Sequence, residues 1–454
     1  MAQRFFIATL GCPKNDVDSD KLVGLLRSSG YLETNEPADA DLVVVNTCAF
    51  IEPAREESIN TILELSELRR PGAKLAVTGC LAERSGEELA AALPEVDVVA
   101  GFGMDFIGQL SRLSPEPGAA HAPGQPVRLL RRNEVPSFDL LELPRPPASA
   151  PWAYVKVAEG CDRKCGFCAI PSFRGKQRSR TMESILAEVE SLQVREIVLV
   201  AQDLASFGRD QSSATGRRSG DADIVRLVGA VAAEVDRVRL LYLYPSSLSD
   251  TLIETIVATG VPYFDLSLQH VSVPLLRGMR RWGNGQRFLD RIDRIRSLAP
   301  EAALRSSFIL GYPGETEEDH DELLAFVEAA RLDWAGFFTF SSEAGTYAAD
   351  LDAQVPAELA MERLRECSEL QDGVTADKRR GLVGSTVSVL VDSPGVGRSF
   401  REAPEIDGIV RLSEDLPAGV IAEVIVTGAA GPDVVAEPVR VGAGARSPVT
   451  MVAS

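Results

Sequence analysis

Glu159-Gly-Cys161-Asp-Arg-Lys-Cys165-Gly-Phe-Cys168-Ala-Ile-Pro171 places three thiols in one loop, at intervals of four and three residues. That spacing lets three thiolates wrap a single metal centre, and no fourth ligand stands nearby. A structural zinc site takes four protein ligands, and a catalytic one more often mixes in histidine. The chain's histidines, His121, His270 and His320, all lie outside the loop. Soft thiolates in this arrangement suit an iron–sulfur cluster with one iron left open, a zinc knuckle or a chance grouping being the plainer alternatives.

The loop follows Ala153-Tyr-Val-Lys-Val-Ala158, an apolar run of strand character, and the pattern then repeats. Strands are expected at Ala153–Val157, Glu196–Val200, Arg239–Leu243, Phe264–Leu268, Leu304–Leu310 and Gly336–Phe340. Helical stretches between them are Ser184–Leu192, Ile224–Val235, Thr251–Ala258, Gln286–Ser297 and Glu317–Leu332. Six such units are two short of a closed eight-unit barrel, and binding groups are expected at the strand ends.

Upstream, Cys12, Cys48 and Cys80 each follow a β-prone run: Phe5–Leu10, Asp41–Asn46 and Lys74–Gly79. Helix-like stretches come next, at Val17–Leu26, Pro53–Leu68 and Glu83–Leu93, and Val96–Ala100 is a further strand candidate. Repeated strand–loop–helix units predict a parallel sheet, whose carboxyl ends lie along one ligand-binding edge. Three thiols on that edge converge in space and are able to hold a second cluster. Three buried core cysteines are the plainer reading. The seventh cysteine, Cys367, sits alone in a helical segment and reads as packing.

Between Pro115 and Pro151, nine of the chain's 27 prolines mark an irregular connector, with a short strand or helix at Val127–Arg132. From Val383 onward, β-rich runs at Thr386–Val391, Ile409–Leu412, Val420–Val426 and Val434–Val441 predict a small antiparallel barrel. The 454 residues carry 47 basic and 66 acidic side chains, a net charge of −19, which argues against nonspecific coating of nucleic acid. The last 72 residues follow the same balance, with nine acids against five bases, so a basic protein partner suits that barrel better than a phosphate backbone. No apolar run is long enough for a membrane span, and Met1–Leu10 is too short for a signal peptide, so a cytoplasmic setting is expected.

Cys-x-x-x-Cys-x-x-Cys directly after an apolar strand resembles the radical S-adenosylmethionine (SAM) signature. The resemblance implies that the open iron chelates the methionine moiety of SAM, and that the reduced cluster cleaves it to a 5′-deoxyadenosyl radical. The terminal barrel resembles the TRAM domain. Together with the N-terminal three-cysteine unit, almost the whole chain is similar to the methylthiotransferases. Gly11–Ser19, Gln202-Asp203, Leu241–Pro245, Gln269-His270 and Ala403–Gly408 resemble the RimO branch, which modifies an aspartate of small-subunit ribosomal protein twelve. The branch acting on an adenosine beside the tRNA anticodon usually differs there, with Gln-Ser where this chain has Gln269-His270. The expected fold is therefore α/β, with three parts. Residues 1–140 form a parallel-sheet domain with the proline-rich connector, 141–375 a partial (β/α)6 radical SAM barrel, and 376–454 a TRAM-like substrate-binding barrel.

The resemblance further implies two 4Fe–4S clusters, one on Cys161, Cys165 and Cys168 and one on Cys12, Cys48 and Cys80. One SAM would supply the methyl group and another the radical. An external electron donor and sulfur source are implied, as is the ribosomal protein or the assembling small subunit as partner, with no membrane and no direct nucleic-acid substrate. A tRNA methylthiotransferase is the nearest alternative, and a non-enzymatic iron–sulfur scaffold on the ribosome is one of another class. Phe167 is expected near the adenine, and Gln202 and Asp203 near the methionine ammonium, with helix capping the rival role for the pair. Gly311 and Gly314 suit a SAM-facing turn, with Thr316 also placed to cap the next helix. Arg174 and Arg178, foremost in a basic run after the loop, are candidates for a substrate aspartate or a SAM carboxylate. His270 ends a strand and reads as a cavity residue or a hydrogen-bonded histidine, not as a base.

Overall fold

The computed structural model describes residues 2–101, 127–129, 140–211 and 221–439. The cysteine loop leaves the carboxyl end of Trp152–Lys156, the first of six parallel strands. The others are Glu196–Val200, Arg237–Leu240, Tyr263–Gln269, Ala303–Leu310 and Trp334–Thr339, neighbours in chain order. The third strand stops three residues before its expected end, because Tyr242 turns to a φ of +64°. Only a single bridge, Leu243 to Leu266, then joins it to the fourth. The first and sixth strands stand at the edges, which leaves the barrel incomplete.

Residues alternate between the two faces of these strands, as a period of two requires. Ala153, Val155, Ile197 and Leu199 pack outward on the helices. Tyr154, Val198, Val200, Tyr263, Ala303 and Trp334 gather on the other face. Four of the described helices begin where the sequence supplies a cap: Thr181, Ser249, Asn284 and Thr316 each accept a hydrogen bond from the first turn. The helical segment that holds Cys367 is Ala357–Arg380, which packs behind the last strands with Cys367 fully buried in the core.

The N-terminal unit is a parallel sheet in the order Leu32–Glu33, Arg4–Thr9, Leu42–Thr47, Lys74–Gly79, Val98–Ala100 and Val127–Leu129. Leu42–Thr47 is buried throughout, as a strand with neighbours on both sides and helices on its faces must be. Helices Pro13–Ser28, Glu52–Leu68 and Cys80–Ala92 follow the three cysteine-bearing edges. The middle of the proline-rich connector thus supplies an edge strand; its stretches 102–126 and 130–139 lie outside the described residues.

The C-terminal unit is a closed five-stranded barrel in the order Thr386–Ser393, Val396–Arg398, Val410–Leu412, Asp433–Pro438, Ile421–Ala430. Val396–Arg398 is too short to show an alternating pattern and escapes sequence reading. Four pairings are antiparallel, and Val410–Leu412 runs parallel to Asp433–Pro438. Val441, Arg440 and Arg446 lie outside the described residues.

Both outer units are tied to the incomplete barrel. At the amino ends of its strands, Arg237 donates to the carbonyls of Arg398 and Ser388, and Glu196 pairs with Arg239 and Arg398. The loop after Val396–Arg398 enters the barrel interior. Ala403 is fully buried there, Tyr154 donates to the Pro404 carbonyl at 3.0 Å, and Tyr263 donates to Asp407 at 2.6 Å. At the carboxyl ends, the N-terminal unit reaches both edges. Asp18 pairs with Lys156 of the first strand, while Arg55 and Arg84 pair with Glu343 beyond the sixth. Among the described residues, no helix is long and apolar enough to cross a membrane.

Candidate metal and cofactor site

Cys12, Cys48 and Cys80 lie just past three neighbouring strands on one sheet edge, and glycines shape two of the turns there. Gly11 takes a φ of +102°, and a Cβ there would lie 2.8 Å from the Cys48 sulfur, so only glycine admits this approach. Gly79 takes +93° immediately before Cys80. Asn15 fastens the edge: its Nδ2 donates to the carbonyls of Leu10, at 2.7 Å, and Thr47, at 3.1 Å.

The second set is held differently. Cys161 follows a two-residue antiparallel ladder, Ala158–Glu159 with Arg178–Ser179, that clamps both ends of the loop. The Cys161 sulfur accepts from the Arg163 N–H at 3.4 Å, and the Cys165 sulfur from Arg281 at 3.5 Å. Arg163 and Arg281 also lie over the Tyr244 ring, 3.8 and 4.0 Å from its centroid.

Among the described residues, no three Cys, His, Asp or Glu side chains close up on a common metal position. The chemistry of the donors nevertheless fits iron–sulfur ligation. Burial pushes the Cys48 and Cys161 thiols up to about 11 and Cys168 up to about 12, so as thiolates they require nearby positive charge. A bound metal centre would supply that charge, and Arg174 on the Cys80 sulfur and Arg281 on the Cys165 sulfur add to it.

Arg174 is the centre of the region, though not in the role expected from sequence. Its guanidinium is buried and donates to Glu159 at 3.0 Å, Asp18 at 3.2 Å, Asn15 Oδ1 at 2.7 Å and the Cys80 sulfur at 3.1 Å. It therefore faces protein groups rather than an arriving carboxylate, and it spans from Cys80 to the residue two before Cys161. Lys156 completes the network on Asp18 and Glu159, and Gln202 donates to Glu159 at 2.8 Å. Although burial acts to raise the Glu159 pKa, Arg174 and Lys156 hold it well below the usual carboxylate range. Arg178 lies on the clamping ladder, and Arg180 is buried against Glu188 at 2.7 Å.

The other candidates fall at the strand ends. Asp203 accepts from Arg163 at 2.6 Å and Ser206 at 2.7 Å through Oδ2, and its side chain makes no backbone capping bond. Asp203 Oδ1 and Gln202 Oε1 are buried acceptors with no hydrogen-bond partner among the described residues. Phe167 packs with Leu275, Met279, Tyr312 and Ala348. Gly311 has a packing reason, since a Cβ would lie 2.6 Å from the Ala360 Cβ, whereas Gly314 faces open space. Thr316 forms a capping box with Asp319. His270 is fully buried; the Ser272 N–H donates to its Nδ1 at 3.1 Å, and burial lowers its pKa to about 4.

Sequence reading passed over Lys14, Lys156 and Glu159. Lys156 had a visible signal, a lysine inside an apolar strand, which demands a buried acid. Lys14 lies two residues beyond Cys12 with its ammonium 3.5 Å from the Tyr242 ring centroid.

Three family models match the chain: the uncharacterized protein family UPF0004 over residues 4–101, the radical SAM superfamily over 155–327, and the TRAM domain over 383–439. A protein from Kineococcus radiotolerans named ribosomal protein uS12 methylthiotransferase RimO is 39% identical, covering 95% of this chain and 96% of that one. Proteins of the same name from Moorella thermoacetica and Streptomyces coelicolor are each 40% identical, over 93% and 95% of this chain and 96% of each relative. Among solved structures, the radical SAM methyltransferase TsrM from Kitasatospora setae, with cobalamin and a [4Fe-4S] cluster bound, aligns with a TM-score of 0.50 at 14% identity. The alignment covers 87% of this chain and 80% of that one, a likeness of fold.

Proposed function

The chain belongs to the family of ribosomal protein uS12 methylthiotransferases, RimO, and from that premise we propose that it places sulfur and a methyl group on the β-carbon of an aspartate in uS12. It is a radical SAM enzyme, with an iron–sulfur cluster and SAM as its cofactors. The proposal assigns Cys161, Cys165 and Cys168 to the cluster that binds SAM, and Cys12, Cys48 and Cys80 to a second cluster. The observation that carries it is the Arg174 fork, which reaches both the Cys80 sulfur and Glu159 and so ties the edge that bears Cys80 to the strand end that leads into the Cys161 loop.

When bound, the cofactors supply one-electron chemistry able to remove hydrogen from a carbon that no base deprotonates usefully at neutral pH. The protein's part is to bind, orient and exclude. Arg174 and Arg281 set positive charge beside the thiolates. Gln202 Oε1 and Asp203 Oδ1 offer acceptors to the methionine ammonium of SAM. Phe167 and the turn at Gly314 border the adenine side. His270, neutral above about pH 4, holds its Nδ1 as an acceptor and moves no proton. An external electron donor and sulfur source, a cytoplasmic setting, and a division at residues 140 and 375 belong to the same proposal.

The test is an anaerobic competition assay read by mass spectrometry, with the reconstituted enzyme, SAM, reductant, a sulfur source, uS12 and an anticodon stem–loop RNA. A methylthio mass gain on an aspartate of uS12 is the expected result. The same gain on the RNA alone, or SAM cleavage with neither modified, would overturn the substrate assignment.

A further inference from the structure

Lys14 sits at the start of helix Pro13–Ser28, two residues beyond Cys12. It is half-buried, and its ammonium rests over the Tyr242 ring, 3.5 Å from the centroid. The groups that face it are Cys12, Tyr242, Arg174 and Asp265. Asp265, the acid among them, is already committed: it accepts from Arg305 at 3.1 Å and from the Tyr242 N–H at 2.9 Å. Among the described residues, Lys14 has no carboxylate partner and no hydrogen-bond acceptor.

Tyr242 is itself unusual. It lies just past the third barrel strand, on the carboxyl edge where such scaffolds bind ligands. Its φ of +64° is unfavourable for any residue with a Cβ, and the Asp265 carboxylate holds its N–H in that turn. The strained turn keeps the ring beneath the ammonium. A cation seated on an aromatic face is held by its charge, while the N–H donors turned away from the ring remain available to an anion.

We propose that Lys14 binds the side-chain carboxylate of the substrate aspartate, and that this contact determines the choice of aspartate over a neutral side chain. The inference rests on the uS12 reading above and extends it to a specificity residue. An aspartate side chain keeps its carboxylate while its β-carbon is modified, so the charge is a constant handle. The β-carbon is one bond from that carboxylate, and Lys14 shares a turn with Cys12. An ammonium placed there brings the reacting carbon to the N-terminal thiols.

The test uses the reconstituted enzyme and recombinant uS12. Mass spectrometry of the wild-type product first locates the modified aspartate, and a second uS12 carries asparagine there. Binding of both is measured by competition against fluorescent uS12, for wild type, Lys14→Met and Lys14→Arg. Wild type is expected to prefer the aspartate form by about 10- to 100-fold, the scale of a charge-assisted contact. Lys14→Met should lower that preference to within about threefold, through weaker binding of the aspartate form alone, and Lys14→Arg should keep most of it. Undiminished preference in Lys14→Met overturns the proposal. So does loss of iron, or equal weakening for both forms, since either assigns the ammonium to the Cys12 site. If wild type leaves uS12 unmodified, the activity reading fails and this inference falls with it. A modified uS12 whose recognition ignores Lys14 sinks the inference alone.

Discussion

Replacing Arg174 with methionine removes one of two cations that neutralise two buried acids. Asp18 and Glu159 would be left facing each other with Lys156 alone between them. Removing one partner of a buried ion pair costs about 3–5 kcal/mol, because the remaining charge cannot regain water. The cost falls on the seam between the N-terminal unit and the first barrel strand, where the network sits. Hydrogen exchange of the apoprotein, resolved to helix Pro13–Ser28 and strand Trp152–Lys156, measures that local opening directly. Protection there should fall by about two to three and a half powers of ten, with amides of the C-terminal barrel unaffected. A double variant, Arg174→Met with Asp18→Asn, restores charge balance and should recover a large part of the loss. A loss below about 1 kcal/mol, or strictly additive effects in the double variant, would refute the assignment of Arg174 as the electrostatic centre of this seam.

Cys161→Ala should abolish formation of 5′-deoxyadenosine, while Cys12→Ala should lose iron and sulfur transfer yet still cleave SAM; iron content unchanged in the second variant returns Cys12, Cys48 and Cys80 to the plain core. Gly11→Ala forces a Cβ to 2.8 Å from the Cys48 sulfur and should lower iron content while SAM cleavage persists, as iron analysis and chromatographic assay would report. Burial, with Glu405, Asp20 and Asp18 nearby, raises the Asp16 pKa to about 7. The folded chain thus holds a proton there that the unfolded chain releases above about 4, so stability declines as pH rises from there to about 7. Asp16→Asn should therefore raise the melting temperature at pH 8 relative to wild type and have little effect near pH 4; equal shifts at both would contradict the sign.

Much of this was legible in the sequence because strands and thiols are local signals. Asp41–Asn46 followed by Cys48 names both a strand and the edge it ends on. The six barrel strands came within a few residues of their positions for the same reason, and Tyr242 shows why the third did not. A side chain entering a positive φ leaves no trace in hydropathy. Arg174, expected to meet a substrate or SAM carboxylate, is held instead by Glu159 and by Asp18, the second of them 156 residues away. Gly311 resembled a ligand turn, yet its freedom from a Cβ is required by Ala360 on a helix that follows it. Pairings of that kind exist only once the chain has folded.

The loop from Ser399 to Asp407 has a consequence for how the molecule is made. It fills the interior against Tyr154, Tyr263 and Trp334, yet it leaves the ribosome only after all six barrel strands have done so. Domains commonly mature in the order of their synthesis, the amino-terminal one first. Here the central barrel's inner face stays uncovered until a segment beyond its last strand arrives. Nascent chains arrested before Ser399 should stay open to protease at the barrel strands, and completed chains should not. Loading of the iron–sulfur cluster would then wait for that loop rather than for the barrel strands alone.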